Sequence, residues 1–138
     1  MLGIENTMAT PRFFDQFLDE EYHDRLMAPR IRKHCPLAQF LKARGYTGVD
    51  VTLDTIGYDL GEEWAEIECP WWAREFQERA MDCRNEATHG EPWDLDRFDY
   101  SSVYGYEFRS RISVATCRRV LEEVMEEIVD IRQLMDYA

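Results

Sequence analysis

Two cysteines are each followed by proline and then by an apolar pattern of helical spacing: Cys35 in "HCPLAQFLKAR" and Cys69 in "ECPWWAREFQER". A helix N-terminus lowers the pKa of a thiol, and the thiolate is a nucleophile when a base lies close. His34 adjoins Cys35, but neighbouring side chains rarely meet across a helix start. His23 and His89 can approach either thiol only through the fold. A small cysteine-dependent enzyme is therefore one alternative.

Zinc is the second chemistry that these residue types allow. Structural zinc sites pair their ligands at short spacings such as C-x₂₋₄-C or H-x₃₋₅-H. The spacings here are long and irregular, and no phosphate-binding, metalloprotease or serine-hydrolase motif is present. We therefore predict no metal and no cofactor. The zinc alternative would use Cys35, Cys69, Cys83 and His89.

Local geometry gives a simpler account of both Cys-Pro pairs. Proline in the first turn of a helix loses no hydrogen bond, and the residue before it is pushed towards the extended conformation of an N-cap. Cysteine is small and often buried. We interpret Cys35 and Cys69 as helix starts, and Cys83 and Cys117 as structural. The dispersed cysteines suit reduced thiols in a cytoplasm.

The chain as a whole is acidic, with 28 Asp and Glu against 16 Lys and Arg and a net charge of −12. Affinity for phosphate comes from cations, so direct binding of nucleic acid or of an acidic membrane is disfavoured. A basic protein surface is the natural complement. The competing interpretation is an acidic surface that only confers solubility. No apolar run approaches the roughly 20 residues of a membrane helix, and the start lacks a signal-peptide layout. We expect a cytoplasmic protein.

The acidic residues are clustered along the chain. Between Gly45 and Ala73 there are seven acids and no Lys or Arg, whereas Arg25 to Gly48 carries six basic residues and no acid. The last helix adds acids at i, i+4 spacing, about 6 Å apart, which imitates the short, regular charge spacing of a phosphate backbone. We expect folding to gather both groups into one electronegative patch for a basic partner: Asp50, Asp54, Asp59, Glu62, Glu63, Glu66, Glu68, Glu122, Glu123, Glu126, Glu127 and Asp130.

Most of the elements that would position these residues are predicted helices. Their starts are marked by a cap residue or by proline in the first turn, and a glycine can end them. The sequence predicts helices that start at Thr10-Pro11, that run over residues 22–27 before Pro29, that run from Cys35-Pro36 to Gly45, and that start at Cys69-Pro70.

Strands are predicted where polar and apolar residues alternate. "GVDVTLD", from Gly48 to Asp54, puts valine and leucine on one side and aspartate and threonine on the other. "EWAEIE" predicts a second strand that pairs with the first, with a turn region around Gly57 and Gly61. A third candidate, in "VYGYEFRSRI", has Tyr104, Tyr106 and Phe108 on one side.

The C-terminal segment from Val114 to Met135 predicts one long amphipathic helix, because its apolar residues recur at steps of three and four. The apolar stripe is wider than a two-position seam, which favours packing within the protein. The alternative is a homodimer through Val114, Leu121, Val124, Ile128 and Ile131. Together these patterns predict an α+β fold in one domain, residues 1–138, with several helices on a small antiparallel sheet.

A further pattern runs from Cys35 to Phe98: a Cys-Pro helix, a glycine, a short strand, a proline-started helix and an aromatic strand. It is carried by Cys35-Pro36-Leu37-Ala38, Gly45, Val49-Asp50-Val51, Pro70, Ala73, Phe76, Asp82, Pro92 and Phe98. The pattern resembles a recurrent element in small uncharacterised proteins of bacteriophages that infect actinobacteria. The resemblance implies a viral origin but no known activity, so it assigns no functional residue. The "NEATHGEPWD" insertion and the C-terminal helix depart from it.

These expectations favour a binding protein over an enzyme. The function that we predict is an acidic module, encoded by a phage, that mimics nucleic acid and inhibits a host defence protein by occupying its basic site. The alternatives are an assembly protein that dimerises through its C-terminal helix, and the cysteine-dependent enzyme.

Overall fold

A computed structural model of the chain describes residues 3–83 and 111–136, with side chains as far as Ile128. This part of the chain has the predicted α+β architecture, with helices and two small antiparallel sheets. None of the helices within it combines the length and the apolar character needed to cross a membrane. The helices are α1 Ile4–Met8, α2 Arg12–Glu20, α3 Pro36–Ala43, α4 Trp71–Asp82 and α5 Val114–Asp136, and the strands are β1 Leu26–Met27, β2 Asp50–Val51, β3 Thr55–Leu60, β4 Glu63–Glu68 and β5 Ile112–Ser113.

Helix α3 begins and ends as its sequence predicts. Cys35 is the N-cap, and its Sγ accepts a hydrogen bond from the Ala38 amide at 3.4 Å. At the other end Gly45 has φ 100°, a conformation that glycine adopts without a steric penalty. The Tyr46 N–H then donates to the Leu41 carbonyl at 3.1 Å, which satisfies a carbonyl at the helix end.

Helix α4 begins one residue later than its Cys-Pro pair predicts. Pro70 is the N-cap in an extended conformation and Trp71 is the first helical residue, so Cys69 precedes the helix. The Cys69 Sγ accepts a hydrogen bond at 3.4 Å from the Nε2 of Gln77, which lies in the second turn of α4. The predicted apolar stripe is buried as expected: Trp72, Ala73, Phe76 and Ala80.

The helix predicted over residues 22–27 is wrong. Leu26 and Met27 form β1, which pairs antiparallel with β5 at Ser113 and Ile112. The apolar spacing of so short a segment does not distinguish helix from strand. Burial of Met27 against a segment far along the chain decides the outcome.

The sheet topology corrects a second expectation. Residues 55–60, predicted as a turn region, form the central strand β3, so the strand order is β2-β3-β4 and β4 pairs with β3 instead of with β2. The reversal occurs earlier in the chain, where the Thr55 amide donates to the Thr52 hydroxyl at 2.9 Å. Gly61, with φ 65°, does lie in a turn, the one between β3 and β4. The candidate strand from Tyr104 to Phe108 lies outside the described residues.

The core is centred on α2, α3, α4 and α5. Phe14 is fully buried, and its ring contacts those of Phe17, Phe40, Trp72 and Phe76 at centroid distances of 4.9–6.4 Å. Helix α5 packs mainly on α4 and α2. Its apolar stripe is buried inside the protein, as the width of the stripe predicts, at Val114, Cys117, Val120, Leu121 and Val124.

Candidate protein-binding surface

The two cysteines at the helix starts are poor nucleophiles where the fold places them. Both thiols are buried, and burial raises the pKa of Cys35 and of Cys69 to about 11. The Sγ of Cys35 contacts backbone groups, the Ala38 amide and the Arg32 carbonyl. A thiol with such a pKa is protonated at neutral pH, and the thiolate is the reactive form.

A metal site is equally unsupported within residues 3–83 and 111–136. No group of three His, Cys, Asp or Glu side chains there comes close enough to hold an ion. Of the four ligands considered from the sequence, Cys35 and Cys69 are buried as described and His89 lies outside these residues.

The β2–β3–β4 sheet has one buried face and one face towards solvent, because successive side chains of a strand alternate. Ile56 lies opposite both Val51 and Ile67 on the core side. The next residue on each strand points away from the core. On that solvent-facing side Asp50, Gly57 and Glu66 lie side by side across the three strands. We call this side the outer face and define it by Asp50, Thr55, Gly57, Asp59, Trp64, Glu66 and Glu68.

Trp64 occupies the middle of the outer face. Its side chain lies against Gly57, where an added Cβ would be 2.1 Å from the Trp64 Cζ2 atom. The indole Nε1 donates to Glu66 Oε1 at 3.1 Å. Although the indole covers Gly57, Trp64 remains 51% exposed. The face therefore presents a positioned aromatic surface beside a carboxylate.

Three carboxylates of the predicted patch are paired with the protein's own arginines. Asp50 accepts two hydrogen bonds from Arg32, at 2.7 and 3.0 Å. Asp54 lies 3.6 Å from Arg74. Glu127 lies 2.6 Å from Arg79, which joins α5 to α4. Arg74 also pairs with Glu78 and Arg79 also pairs with Glu75, so Asp50 is the only one of the three whose arginine has no second carboxylate among the described residues.

The other predicted carboxylates with described side chains form no ion pair among the described residues. Asp59 accepts a hydrogen bond from the Thr47 hydroxyl at 3.2 Å, and its carboxylate rests against Gly48. Asp130 belongs to α5, but its side chain lies beyond the described ones. Within the described residues the unpaired members are Asp59, Glu62, Glu63, Glu66 and Glu68 on the β3–β4 hairpin, and Glu122, Glu123 and Glu126 on α5, which we call the acidic ridge.

The two acidic groups lie on different layers of the fold. Helix α5 packs mainly on α4 and α2. The hairpin acids, in contrast, lie on β3, β4 and the turn between them, which belong to the sheet. None of the larger packing contacts within the described residues therefore joins the acidic ridge of α5 to the outer face. The hairpin group is the one that combines unpaired carboxylates with an exposed aromatic side chain.

An open cavity of about 250 Å³ lies between α1 and the end of β4. Its lining combines apolar side chains with two carboxylates, and no residue of β3 contributes. The volume is below the roughly 300–1,000 Å³ of typical small-molecule sites, so the cavity suits a single side chain better than a substrate. The lining residues are Glu5, Met8, Ile67, Glu68 and Pro70.

Sequence reasoning missed the role of Trp64, which it treated only as a strand residue. The signal was present as a tryptophan between acidic residues in "GEEWAEIE". What the sequence did not indicate is the cross-strand position of Gly57, because β3 itself was not predicted. Without β3, nothing places a glycine under the indole.

Replacing Gly57 by alanine should remove the aromatic part of the outer face and leave its charges in place. The new Cβ would overlap the Trp64 ring, and the ring can swing away because it is half exposed. We expect a change of about 1 kcal/mol or less in the free energy of unfolding and altered tryptophan fluorescence. The fluorescence change from the parent protein to Gly57→Ala includes the contribution of Trp64. The change from Trp64→Phe to Gly57→Ala with Trp64→Phe excludes it, so the difference between the two changes reports on Trp64 alone. An unchanged Trp64 signal in Gly57→Ala would contradict this placement of the indole.

Comparison with protein-family models, with curated proteins and with solved structures finds no match for this chain. The resemblance to actinobacteriophage proteins over residues 35–98 therefore stays a prediction. The candidate surface rests on its own geometry, that is, on the outer face and the cavity at its edge.

Proposed function

We propose that this chain is an acidic protein-binding module that docks through its outer face on a basic surface of another protein. The observation that carries the proposal is the arrangement of unpaired carboxylates, those of Asp59, Glu66 and Glu68, around the half-exposed Trp64. We further propose that the partner is a nucleic-acid-binding protein whose basic site the module occupies, and that it belongs to a host cell, since the resemblance over residues 35–98 implies a viral origin.

Electrostatics and contact area both support this choice. Like-charged side chains that share one sheet face repel and reduce stability, and a cationic partner would relieve that repulsion. An exposed tryptophan supplies apolar area and attracts Arg or Lys to the face of its ring. Trp64 is therefore a natural anchor for a cationic side chain, with Glu66 close to the same ring.

The acidic ridge of α5 supports the nucleic-acid-mimic form of the proposal. Glu122 and Glu126 are exposed and one helical turn apart, a spacing of about 6 Å. Repeated negative charge at such intervals is what a phosphate backbone presents to a basic groove. The ridge would extend the contact of a partner that reaches beyond the sheet.

Neither alternative function gains a supporting observation. The buried thiols with raised pKa values do not suit a cysteine nucleophile. A homodimer through the α5 seam would need Val114, Leu121 and Val124, which are buried in the core. Ile128 is partly buried against the same core, and the side chain of Ile131 is not described.

Salt-dependent capture tests the proposal. The immobilised chain is exposed to an actinobacterial lysate at low salt, eluted with a salt gradient, and the retained protein is identified by mass spectrometry and then purified. We expect its affinity to fall about tenfold or more between low and high salt, because exposed charges are screened. Duplex DNA should compete with the module for the partner.

Matched variants make the test specific to the outer face. Glu66→Gln with Glu68→Gln removes two unpaired charges from the face, and Glu20→Gln with Asp24→Asn removes two exposed charges elsewhere. The first variant should bind the purified partner about tenfold more weakly, and the second should bind like the parent. Equal affinities for both variants, or binding that salt and DNA leave unchanged, would overturn the proposal.

A further inference from the structure

Strand β4 is an open edge of its sheet: β3 lies along one side, and no strand in the described part of the chain lies along the other. Residues of an antiparallel pair alternate between positions that are hydrogen-bonded to each other and positions that are not. The Asp59 N–H donates to the Thr47 carbonyl at 2.9 Å, away from β4, so its partner Trp64 turns its own backbone groups away from β3. The same alternation directs the N–H and C=O groups of Glu66 and Glu68 to the open side.

We propose that this edge binds an extended, Lys- or Arg-rich segment of the partner protein by antiparallel strand addition. The inference rests on the proposed function, since it specifies how the same surface holds its basic partner. Unpaired N–H and C=O groups along an edge strand are a template for a further strand. β4 has six residues, about 20 Å of extended chain, and offers three positions at which both backbone groups face outwards.

Charge decides which segment fits the edge. In an added antiparallel strand, the side chains directly opposite Trp64, Glu66 and Glu68 lie on the outer face with them. Lys or Arg at these alternate positions meets an indole and two unpaired carboxylates. A second copy of this chain does not fit, because antiparallel pairing of two β4 strands would bring glutamates of both copies together.

The cavity at the end of β4 extends the same site. It is lined by Glu5 and Met8 of α1 together with Ile67, Glu68 and Pro70, and by no residue of β3. A Lys or Arg side chain has an aliphatic stem that packs on apolar groups and a charged end that remains accessible. A Lys or Arg that lies beyond Glu68, past the alternate positions on the outer face, would place its stem against Met8, Ile67 and Pro70 and its charged end near Glu5 and Glu68.

The test uses the full chain and an octapeptide of alternating Lys and Thr, acetylated and amidated at its ends. Amide hydrogen exchange is measured by NMR at low salt with and without the peptide. We expect exchange at Trp64, Glu66 and Glu68 to slow about tenfold or more, because their N–H groups gain acceptors. The amides of Ala65 and Ile67 already face β3 and should change little.

Two methylated peptides separate strand addition from simple charge attraction. One carries N-methyl groups on every Lys amide and the other on every Thr amide, so their side chains and net charge are the same. In antiparallel addition the residue opposite Glu66 directs its own N–H at β4, so the Lys-methylated peptide should bind at least about tenfold more weakly than the Thr-methylated one. Equal binding of the two peptides would overturn strand addition.

The Glu66→Gln with Glu68→Gln variant keeps this inference separable from the proposed function. In the variant, the side-chain amide oxygen that replaces the Glu66 carboxylate can still accept from the Trp64 indole, so the face keeps its hydrogen bond. If this variant loses affinity for the peptide but the two methylated peptides bind equally, charge docking stands and strand addition fails. If the variant binds the peptide like the parent, both proposals fail.

Discussion

Phe14→Ala should destabilise the protein by about 3–5 kcal/mol, the usual cost of truncating a fully buried phenylalanine. Phe14 has no exposed surface, and its ring touches aromatic rings from α2, α3 and α4. The substitution leaves a cavity that these rigid rings cannot fill. Since small proteins are stable by only about 5–15 kcal/mol, the loss is a large share of the total. Urea unfolding followed by circular dichroism measures it.

Phe17→Ala is the matched control for this prediction. Phe17 lies one turn away on α2, contacts the same cluster and is only partly buried. Its truncation should cost clearly less than that of Phe14. Equal losses for the two variants, or a loss below about 1 kcal/mol for Phe14→Ala, would show that the cluster is not the centre of the core.

Alkaline pH should destabilise the fold through its two buried thiols. Burial raises the pKa of Cys35 and of Cys69 to about 11, from an ordinary value of 9.0. Below pH 9 both thiols are protonated in the folded and the unfolded chain, and their contribution to stability is fully present. Between pH 9 and 11 only the unfolded chain ionises them, so stability falls by about 1.4 kcal/mol per pH unit for each thiol.

The Cys35→Ser with Cys69→Ser variant isolates this effect from the titration of tyrosine and lysine. Serine can still cap α3 and can still accept from Gln77, and it does not ionise in this range. Urea unfolding under reducing conditions, from pH 8 to pH 11, gives the slope for each protein. The parent should show the steeper loss above pH 9. Parallel curves for parent and variant would mean that the thiols are not held protonated by burial.

The hydrophobic core and the outer face of the sheet are different layers of the same molecule. The aromatic cluster and the thiols hold α3 and α4 in place, and the chain that connects these helices forms the sheet. A variant that destabilises the core would therefore also disturb the positions of the side chains on the outer face. Binding experiments should accordingly use surface variants such as Glu66→Gln, which leave the core untouched.

Local sequence determined both ends of α3 and the course of α5, whereas it placed the start of α4 one residue early and did not predict α1. Proline after Cys35, glycine at position 45 and the heptad spacing from Val114 onwards act through the backbone of the same segment, so α3 and α5 follow from them directly. The same reasoning predicted the buried stripe of α4. The acidic character of the hairpin was also evident, because charge is a property of composition and needs no fold.

Alternation in the sequence predicted β2 and β4, but only the tertiary structure decided β1, β3 and the state of each carboxylate. β1 exists because Met27 is buried beside Ile112, and β3 is a strand because neighbours on both sides supply its hydrogen bonds. Arg32, Arg74 and Arg79 pair with three of the predicted acids through contacts 18 or more residues apart in sequence. Helical hydrogen bonds close within four residues of chain, whereas strand pairing and ion pairs of this kind join distant segments. That difference in range is why the sequence alone indicated an acidic protein, and the fold alone showed which carboxylates beside Trp64 form no ion pair with the residues that the structure describes.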